Sequence, residues 1–268
     1  MDRSCCRRTR VVRPYVVIFF TQSIDGKIAA VDGYSKLSCE EDKRRQFWLR
    51  CAVDGVVVGA NTVIADNPRL YPKLCLETKS RYFRIVIDGK LRIPLDARIL
   101  DTSRFGTIVI TSKCAPADKV RELRKMGVEV IMCGDGERID IHRALEMLLK
   151  EFGIEKIMVE GGGSTIWSFV SSGAFDEVRV TISPVIFGGA AVSSVSGEGF
   201  RGRDAPKLDL VFAALCKCGS EIHLVYRNPS PVGHAVARGV GTLNNFSRIL
   251  IDRGELVGGR GTTSSTTS

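Results

Sequence analysis

Residues 158–170 read MVEGGGSTIWSFV, and three glycines separate an apolar run from a longer run of apolar periodicity. Glycine inside a regular element costs about 0.5–1 kcal/mol, so three in a row need a physical reason. The run 154–160 has the pattern of a buried strand, and the run 164–173 has the pattern of a helix. The segment therefore predicts a strand-to-helix turn at which some group comes close to the backbone.

Strand-like and helix-like segments alternate on both sides of this turn. Apolar runs rich in Val and Ile predict further strands at 15–20, 55–60, 83–89, 106–112, 128–134 and 176–189. Helical patterns predict helices at 38–53, 115–127 and 139–153 and a short helical turn at 61–68, with Ser38 and Glu41 in a capping-box pattern. The segments 208–219 and 221–227 read as a closing hairpin. The order predicts an α/β fold, a mostly parallel sheet flanked by helices, with an antiparallel C-terminal hairpin.

The composition is that of a folded protein without a membrane span. The chain has 268 residues, of which 44% are hydrophobic, so it can bury a full core. No apolar stretch approaches 18 residues, and the start MDRSCCRRTRVVRP lacks the apolar core of a secretory signal. The nine cysteines are scattered, odd in number and without a CxxC pair. We therefore expect reduced thiols, including Cys216 and Cys218, and a cytoplasmic location.

The net charge of +9 raises the question of nucleic-acid binding, but its distribution argues against it. Residues 1–13 carry +4 and residues 228–268 carry +2, which leaves +3 for the 214 residues between them. A body this close to neutral is a weak electrostatic surface for a polyanion. We expect a basic N-terminal extension at 1–13, a folded domain at 14–227, and a low-complexity, disordered extension at 228–268.

The glycine turn has the chemistry of an anion site. Exposed backbone N–H groups, a helix N-terminus and the hydroxyls of Ser164 and Thr165 suit a phosphate. The dinucleotide fingerprint GxGxxG is absent because Ile166 occupies the third glycine position, and no Gly-Lys-Ser/Thr follows the pattern of a P-loop. A tight turn without a ligand is the alternative.

No group of His, Cys or carboxylates in the sequence has metal-ligand spacing, so no metal site is expected. Trp48 and Trp167 are expected in the core.

Beyond these local features, the chain resembles a known family over most of 14–227. The resemblance rests on TQSIDGKIA, SKLSCEED, LRCAVDGVVVGANTVIADNPRL, RIVIDGKLRIPLDARIL, VEGGGSTIWSFV and DEVRVTISPVIFGG, which occur in the family's order. The family is that of the riboflavin-biosynthesis reductases, which includes archaeal and fungal pyrimidine reductases and the C-terminal domain of a bacterial deaminase–reductase. The zinc deaminase signatures H-x-E and P-C-x-x-C are absent here, so a reductase alone is expected.

The resemblance implies a dihydrofolate-reductase-like fold, a homodimer and a nicotinamide cofactor, NADPH, with NADH as the alternative. The implied reaction reduces the ribosylamino side chain of 2,5-diamino-6-ribosylamino-4(3H)-pyrimidinone 5′-phosphate to the ribitylamino form in riboflavin biosynthesis. Three alternatives stay open. They are the same reaction on the deaminated 5-amino-6-ribosylamino-uracil phosphate, another reductase of the same fold, and, more distantly, a nucleic-acid binder that uses the basic ends.

The resemblance also assigns candidate residues. Those on the cofactor side are Leu37, Thr62, Asp66, Ser112, Gly161, Gly162, Gly163, Ser164 and Thr165. Those on the substrate side are Ser35, Arg50, Leu70, Lys73 and Glu160, where Lys73 stands near the position of an arginine in bacterial members. Asp25, in SIDG, is the candidate for orienting or protonating the reacting sugar. From spacing alone, Arg50 suits the C-terminal end of a helix or a surface carboxylate equally well.

Overall fold

The computed structural model describes residues 12–235, in which strands and helices alternate as the sequence predicts. The strands are β1 (Val12–Arg13), β2 (Tyr15–Gln22), β3 (Lys27–Ala29), β4 (Gly55–Gly59), β5 (Phe83–Ile87), β6 (Gly106–Thr111), β7 (Glu129–Met132), β8 (Lys156–Gly161), β9 (Glu177–Ile182), β10 (Val192–Ser193), β11 (Asp209–Leu215), β12 (Ile222–Arg227) and β13 (His234–Ala235). The α-helices are α1 (Glu40–Ala52), α2 (Ala60–Asp66), α3 (Ala117–Lys125), α4 (Ile141–Phe152) and α5 (Gly163–Ser172). Short 3-10 helices lie at Lys73–Cys75, Arg98–Leu100 and Gly202–Asp204. No helix within 12–235 is both long enough and apolar enough to cross a membrane.

Nine strands form the main sheet in the order β11-β12-β9-β2-β8-β4-β5-β6-β7. The seven strands from β9 to β7 are parallel, and β12 and β11 join them antiparallel at one edge. The predicted mostly parallel sheet with an antiparallel C-terminal hairpin is therefore confirmed. Because the seven parallel strands end at the same edge, the loops after β2, β4, β8 and β9 come together there.

The core has two layers, one on each face of this sheet. Val17 and Phe19 of β2 face one layer with residues of α1, α2 and α3, whereas Val16 and Ile18 face the other layer with residues of α4 and α5. Alternate residues of one strand thus bury on opposite faces, which is why β2 reads as a continuous apolar run rather than an alternating one.

Three local predictions differ from the structure. Cys39, not Ser38, is the N-cap of α1, because the Sγ of Cys39 accepts from the Asp42 N–H at 3.4 Å while the Ser38 hydroxyl donates to Thr21. The predicted strand 176–189 ends at Ile182, since Pro184 follows and has no N–H for the ladder. Trp48 is 48% exposed rather than buried, because α1 turns its neighbour Leu49 to the core instead.

The described fold extends beyond the predicted body at both ends. Arg13 is fully buried, and its guanidinium forms two hydrogen bonds with Asp176, at 2.6 and 2.9 Å, and a third with the Val232 carbonyl. β1 also pairs with β13 in parallel. Residues 12–13 and 228–235, predicted as parts of the extensions at 1–13 and 228–268, therefore belong to the folded structure, while residues 1–11 and 236–268 lie outside the described residues.

Cys51 and Cys75 form a disulfide that joins the last turn of α1 to the 3-10 helix Lys73–Cys75. The prediction of reduced thiols is wrong for this pair. Nothing in a spacing of 24 residues signals it, but the fold places the two Cα atoms 5.9 Å apart, within the range a disulfide needs. Cys216 and Cys218 are free thiols, as predicted. The cytoplasmic location was inferred from the expectation of reduced thiols, so it stays a prediction.

Candidate functional site

The three glycines of the opening turn have three different environments. Gly161 ends β8 with φ +118°, in a region that residues with a Cβ rarely adopt, and a Cβ there would meet nothing within 4 Å. A Cβ on Gly162 would lie 3.4 Å from the Thr62 hydroxyl, which is ordinary contact. A Cβ on Gly163 would lie only 2.5 Å from the Ser193 carbonyl oxygen. The protein's own backbone thus accounts for Gly163, whereas a Cβ on Gly161 would meet no atom and one on Gly162 only the Thr62 hydroxyl.

The turn presents a bare helix N-terminus. Gly162 is the N-cap of α5 and has no side chain to cap it. The first amides of a helix have no carbonyl partner within the helix and carry partial positive charge. Ser164 follows on the exposed side of the first turn, while Thr165 is buried. The first turn of α5 therefore offers backbone amides and the exposed Ser164 hydroxyl, and the anion site stays a prediction.

The helix α2 closes one side of this turn. Thr62 lies on α2, and Gly59 at the end of β4 packs so tightly against α5 that a Cβ on it would lie 2.1 Å from the Thr165 hydroxyl. The Thr165 side chain is therefore part of the contact between β4 and α5 rather than a group open to a ligand. Thr62 is the predicted cofactor residue that the fold does bring to the glycine turn.

The loop after β9, residues 183–200, closes another side. It carries β10, which pairs with β3, and the Ser196 N–H donates to the Gly163 carbonyl at 3.1 Å. The Lys27 ammonium of β3 donates to the Ser193 hydroxyl at 3.2 Å. Neither Lys27 nor these serines was predicted for the site. The serine-rich run SSVSGEG (193–199) is the one sequence signal that marks them.

Asp25 holds this same loop. Its carboxylate accepts from the Ser23 hydroxyl at 2.5 Å, from the Gly188 N–H at 2.7 Å and from the Phe187 N–H at 3.1 Å. The Ser23 hydroxyl, followed by these amides, lowers the pKa of Asp25 from 3.8 to about 2. Because the folded-state pKa is depressed, this stabilisation is complete above pH 3.8 and is lost as the pH falls toward 2. A carboxyl ionised at neutral pH can orient a group but has no proton to give, so the orienting role is favoured over the protonating one.

Arg50 and Glu160 form a buried bidentate ion pair. Both nitrogen–oxygen distances are 2.6 Å, and the side chains are 9% and 6% exposed. Burial alone would lower the pKa of Arg50, but the charge of Glu160 and its hydrogen bonds outweigh burial and raise it. Gln46 donates to Glu160 at 2.9 Å, and Arg50 also donates to the Tyr71 carbonyl at 3.2 Å. The two residues predicted to contact substrate separately are thus partners of each other.

The remaining substrate-side residues gather near this pair. Two cations lie over the aromatic ring of Phe47, with the Arg50 guanidinium carbon 5.4 Å and the Lys73 ammonium 5.0 Å from the ring centroid. Leu70 is buried with φ +53° and precedes Tyr71, whose carbonyl Arg50 binds. Since Glu160 is followed directly by Gly161, this group adjoins the glycine turn along β8.

Four predicted residues lie elsewhere along the same edge. Ser112 is fully buried, and its hydroxyl is used within the protein, donating to the Gly89 carbonyl at 2.8 Å and accepting from the Cys114 N–H. Leu37 is buried, and its carbonyl accepts from the Ser183 hydroxyl. Ser35 is exposed in the segment before α1, and Asp66 is exposed at the end of α2. The structure shows no direct contact between these residues and the glycine turn within 12–235.

The sequence matches the family described as RibD C-terminal domain over residues 14–224. It is 41% identical over 202 residues to the 2,5-diamino-6-ribosylamino-4(3H)-pyrimidinone 5′-phosphate reductase of Methanothermobacter thermautotrophicus, covering 74% of this chain and 92% of that protein. It is 40% identical over 199 residues to the protein of the same name from Archaeoglobus fulgidus, covering 70% of this chain and 89% of that protein.

Among solved structures, the fold is similar to that of Acinetobacter baumannii RibD, with a TM-score of 0.68 and 23% identity. The match covers 80% of this chain but 58% of that longer chain, so this chain spans somewhat more than half of it. At this identity the likeness concerns the fold alone, and it confirms the dihydrofolate-reductase-like architecture that the resemblance implied. With a family match over 14–224 and relatives at 40–41% identity, the chain belongs to the RibD C-terminal domain family.

Proposed function

We propose that this protein reduces the ribosylamino side chain of 2,5-diamino-6-ribosylamino-4(3H)-pyrimidinone 5′-phosphate to the ribitylamino form, with NADPH as reductant, in riboflavin biosynthesis. The observation that carries the proposal is the 41% identity to a reductase of that name over 92% of its length. A nicotinamide cofactor supplies a hydride for the imine or aldehyde carbon of the opened sugar, and the protein positions the reactants.

The glycine turn supports the cofactor part of the proposal. The amides at the start of α5, with Ser164 and with Thr62 of α2, would bind the phosphates of the cofactor. The space at Gly161 and Gly162 fits this role, because a backbone without side chains lets a ligand approach the amides closely. Leu37 and Asp66 would contribute apolar and polar contacts further out, and the buried Ser112 would act through the backbone it holds.

A cavity at the carboxyl end of β5 supports NADPH over NADH. It has a volume of about 280 Å³ and is lined in part by Lys90 and Arg92, the second of which donates to Asn61 beside Thr62. Lys90 is paired there with Glu137 at 2.8 Å, so Arg92 is the cation of this cavity that would meet the additional phosphate of NADPH. A slightly larger cavity, of about 330 Å³ beside the 3-10 helix Arg98–Leu100, contains none of the predicted residues, so the chemistry rather than the volume decides between them.

On the substrate side, the buried pair of Arg50 and Glu160 would form the floor of the site. Lys73, which is exposed and lies over Phe47, would meet the substrate phosphate. Ser35 and Leu70 would line the same side. Asp25, ionised and fixed by three hydrogen bonds, would orient a hydroxyl of the opened sugar.

The proposal is tested by following NADPH oxidation through its absorbance. The diamino pyrimidine phosphate and its deaminated counterpart would be compared in parallel, each with NADPH and with NADH. The expected result is oxidation with the diamino compound and NADPH preferred. Preference for the deaminated compound would indicate instead that reduction follows deamination, as in the bacterial reaction order. No oxidation with either compound would rule out the proposed substrate.

Asp25→Asn is expected to lower kcat/KM by about 10- to 100-fold, since a small displacement of the 183–200 loop misplaces the reacting groups. The factor should be the same at every pH from about 5 to 9, because a carboxyl with a pKa of about 2 stays ionised throughout that range. The measurement is the pH profile of the ratio of wild type to variant. Asp32→Asn, which changes an exposed aspartate in a nearby turn, is the control. A ratio that varies with an apparent pKa within this range would instead make Asp25 the proton donor.

We further propose a homodimer, supported by an apolar face at the antiparallel edge of the sheet. Leu210, Leu215 and Ile222 are 57%, 58% and 44% exposed, and the register of β11 and β12 places them on one face. Leu210→Lys is expected to convert a dimer into a monomer in light scattering coupled to gel filtration. Met126→Lys, at an exposed apolar residue of the opposite edge, should leave the mass unchanged. A wild-type monomer at all concentrations would contradict the proposal.

A further inference from the structure

The hairpin between β11 and β12 brings three thiols and a carboxylate together. The Sγ atoms of Cys39, Cys216 and Cys218 and a carboxylate oxygen of Glu221 all lie within 4.8 Å of one another. The Sγ atoms of Cys39 and Cys216 are 3.6 Å apart. Cys216 and Glu221 are buried, and Cys218 is exposed. None of these residues has a role in the proposed reduction.

These distances match a tetrahedral thiolate site. Zinc–sulfur bonds of about 2.3 Å at tetrahedral angles separate the sulfurs by roughly 3.8 Å. Three thiolates with a histidine nitrogen are a common zinc donor set, carboxylate oxygens also bind zinc, and soft thiolates select zinc over calcium or magnesium. We propose that Cys39, Cys216, Cys218 and Glu221 bind one zinc ion, which fastens the start of α1 to the β11–β12 hairpin.

Glu221 provides an observation independent of the thiols. Its Oε1 accepts from the Cys39 N–H at 2.6 Å, which fixes the carboxylate beside the cluster. Its Oε2 is buried and has no hydrogen-bond partner among residues 12–235. A buried, charged oxygen without a partner costs free energy that a cation would recover. The side chain is therefore held in place and has one ligand atom unused.

The backbone also holds the thiols in place. Cys39 is the N-cap of α1, where its Sγ accepts the Asp42 N–H at 3.4 Å, so the helix start fixes the position of this sulfur. On the hairpin, the Cys216 N–H donates to the Glu221 carbonyl at 2.7 Å, and the Gly219 N–H donates to the Cys216 carbonyl at 2.8 Å. The turn thus holds Cys216, Cys218 and Glu221 on one side. Zinc binding would release the three thiol protons.

A neighbouring group of Asp42, Glu221 and His223 is the weaker candidate. The two oxygens of Asp42 accept from the hydroxyls of Thr21 and Thr181, both at 2.6 Å. The Nδ1 of His223 lies 3.0 Å from the same Thr181 hydroxyl. Because the Asp42 oxygens and the His223 Nδ1 already have partners inside the protein, the group of three thiols with Glu221 is the better candidate for a metal ion.

The location gives the ion a positioning role. Cys39 ends the segment that contains Ser35 and Leu37, and the Leu37 carbonyl is held by Ser183 of the loop that Asp25 also binds. A zinc ion at Cys39 would hold this segment and the hairpin in one arrangement. It would stabilise the fold without contacting substrate.

The test measures zinc bound to the full chain in which Cys5 and Cys6 are replaced by serine, so that thiols outside the described residues do not contribute to the bound zinc. We expect about one zinc per chain after dialysis, a thiolate-to-metal absorption band on replacement by Co²⁺, and a lower unfolding temperature after chelation. Cys218→Ser changes an exposed residue, so the fold should survive, and it should weaken zinc binding at least 10-fold. Cys216→Ser should also weaken zinc binding at least 10-fold. Cys114→Ser, at an exposed free thiol elsewhere, should change nothing.

Three results would overturn the proposal. They are absence of zinc from protein reconstituted with excess zinc under reducing conditions, equal zinc binding by Cys218→Ser and wild type, and a Cys39–Cys216 disulfide found by peptide mapping of the freshly purified protein.

Discussion

Arg50→Met is expected to lower the free energy of unfolding by about 3–5 kcal/mol, because it leaves the Glu160 carboxylate buried without its cation. The Tyr71 carbonyl loses a donor as well. Denaturant unfolding of both proteins measures the difference. In Lys125→Met, the same loss of charge affects an exposed pair with Glu122 and should cost no more than about 1 kcal/mol. Equal costs for the two variants would show that water reaches the Arg50–Glu160 pair in solution.

The double variant Arg50→Met/Glu160→Gln separates stability from activity. It removes both charges, so much of the lost stability should return. The KM for the pyrimidine phosphate should nevertheless be higher than in the wild type, because the proposed floor of the substrate site has lost its charges. Recovery of both stability and KM would make the pair structural only.

Gly162→Val is expected to raise the Kd for NADPH at least about 10-fold, equivalent to about 1.4 kcal/mol, with little change in thermal stability. A side chain at this position meets ordinary contact with Thr62 and otherwise projects into the space assigned to the cofactor. Fluorescence titration of NADPH measures the Kd. Unchanged affinity in a folded variant would show that the turn is structural and binds no cofactor.

Two further glycines serve as controls for this substitution. Gly136→Val introduces a side chain where a Cβ meets nothing within 4 Å, so both affinity and stability should be retained. Gly163→Ala should instead reduce stability by about 1–3 kcal/mol, since its Cβ would lie 2.5 Å from the Ser193 carbonyl and the backbone must move. The contrast between Gly162 and Gly163 distinguishes space for a ligand from space taken by the protein.

The sequence by itself determined the strands, their mostly parallel arrangement and the turn. The strands are apolar on both faces at Val16 to Ile18, Val56 to Val58 and Ile157 to Val159. Such patterns follow from burial and need no knowledge of distant residues. The N-terminus of α5, which has no capping side chain, was predictable for the same reason, since glycine and hydroxyl residues affect the backbone next to them in the sequence. The resemblance then supplied a cofactor and a substrate.

Only the tertiary structure decided which side chains are partners of each other. Arg50 and Glu160 are 110 residues apart, Cys39 and Cys216 are 177 apart, and Cys51 and Cys75 are 24 apart. Local periodicity carries no information about such pairs, because they depend on the order of strands in the sheet and on which loops share an edge. That is why Arg50 and Glu160 were predicted as separate ligand contacts, and why a group of three thiols and Glu221 gave no signal in the sequence.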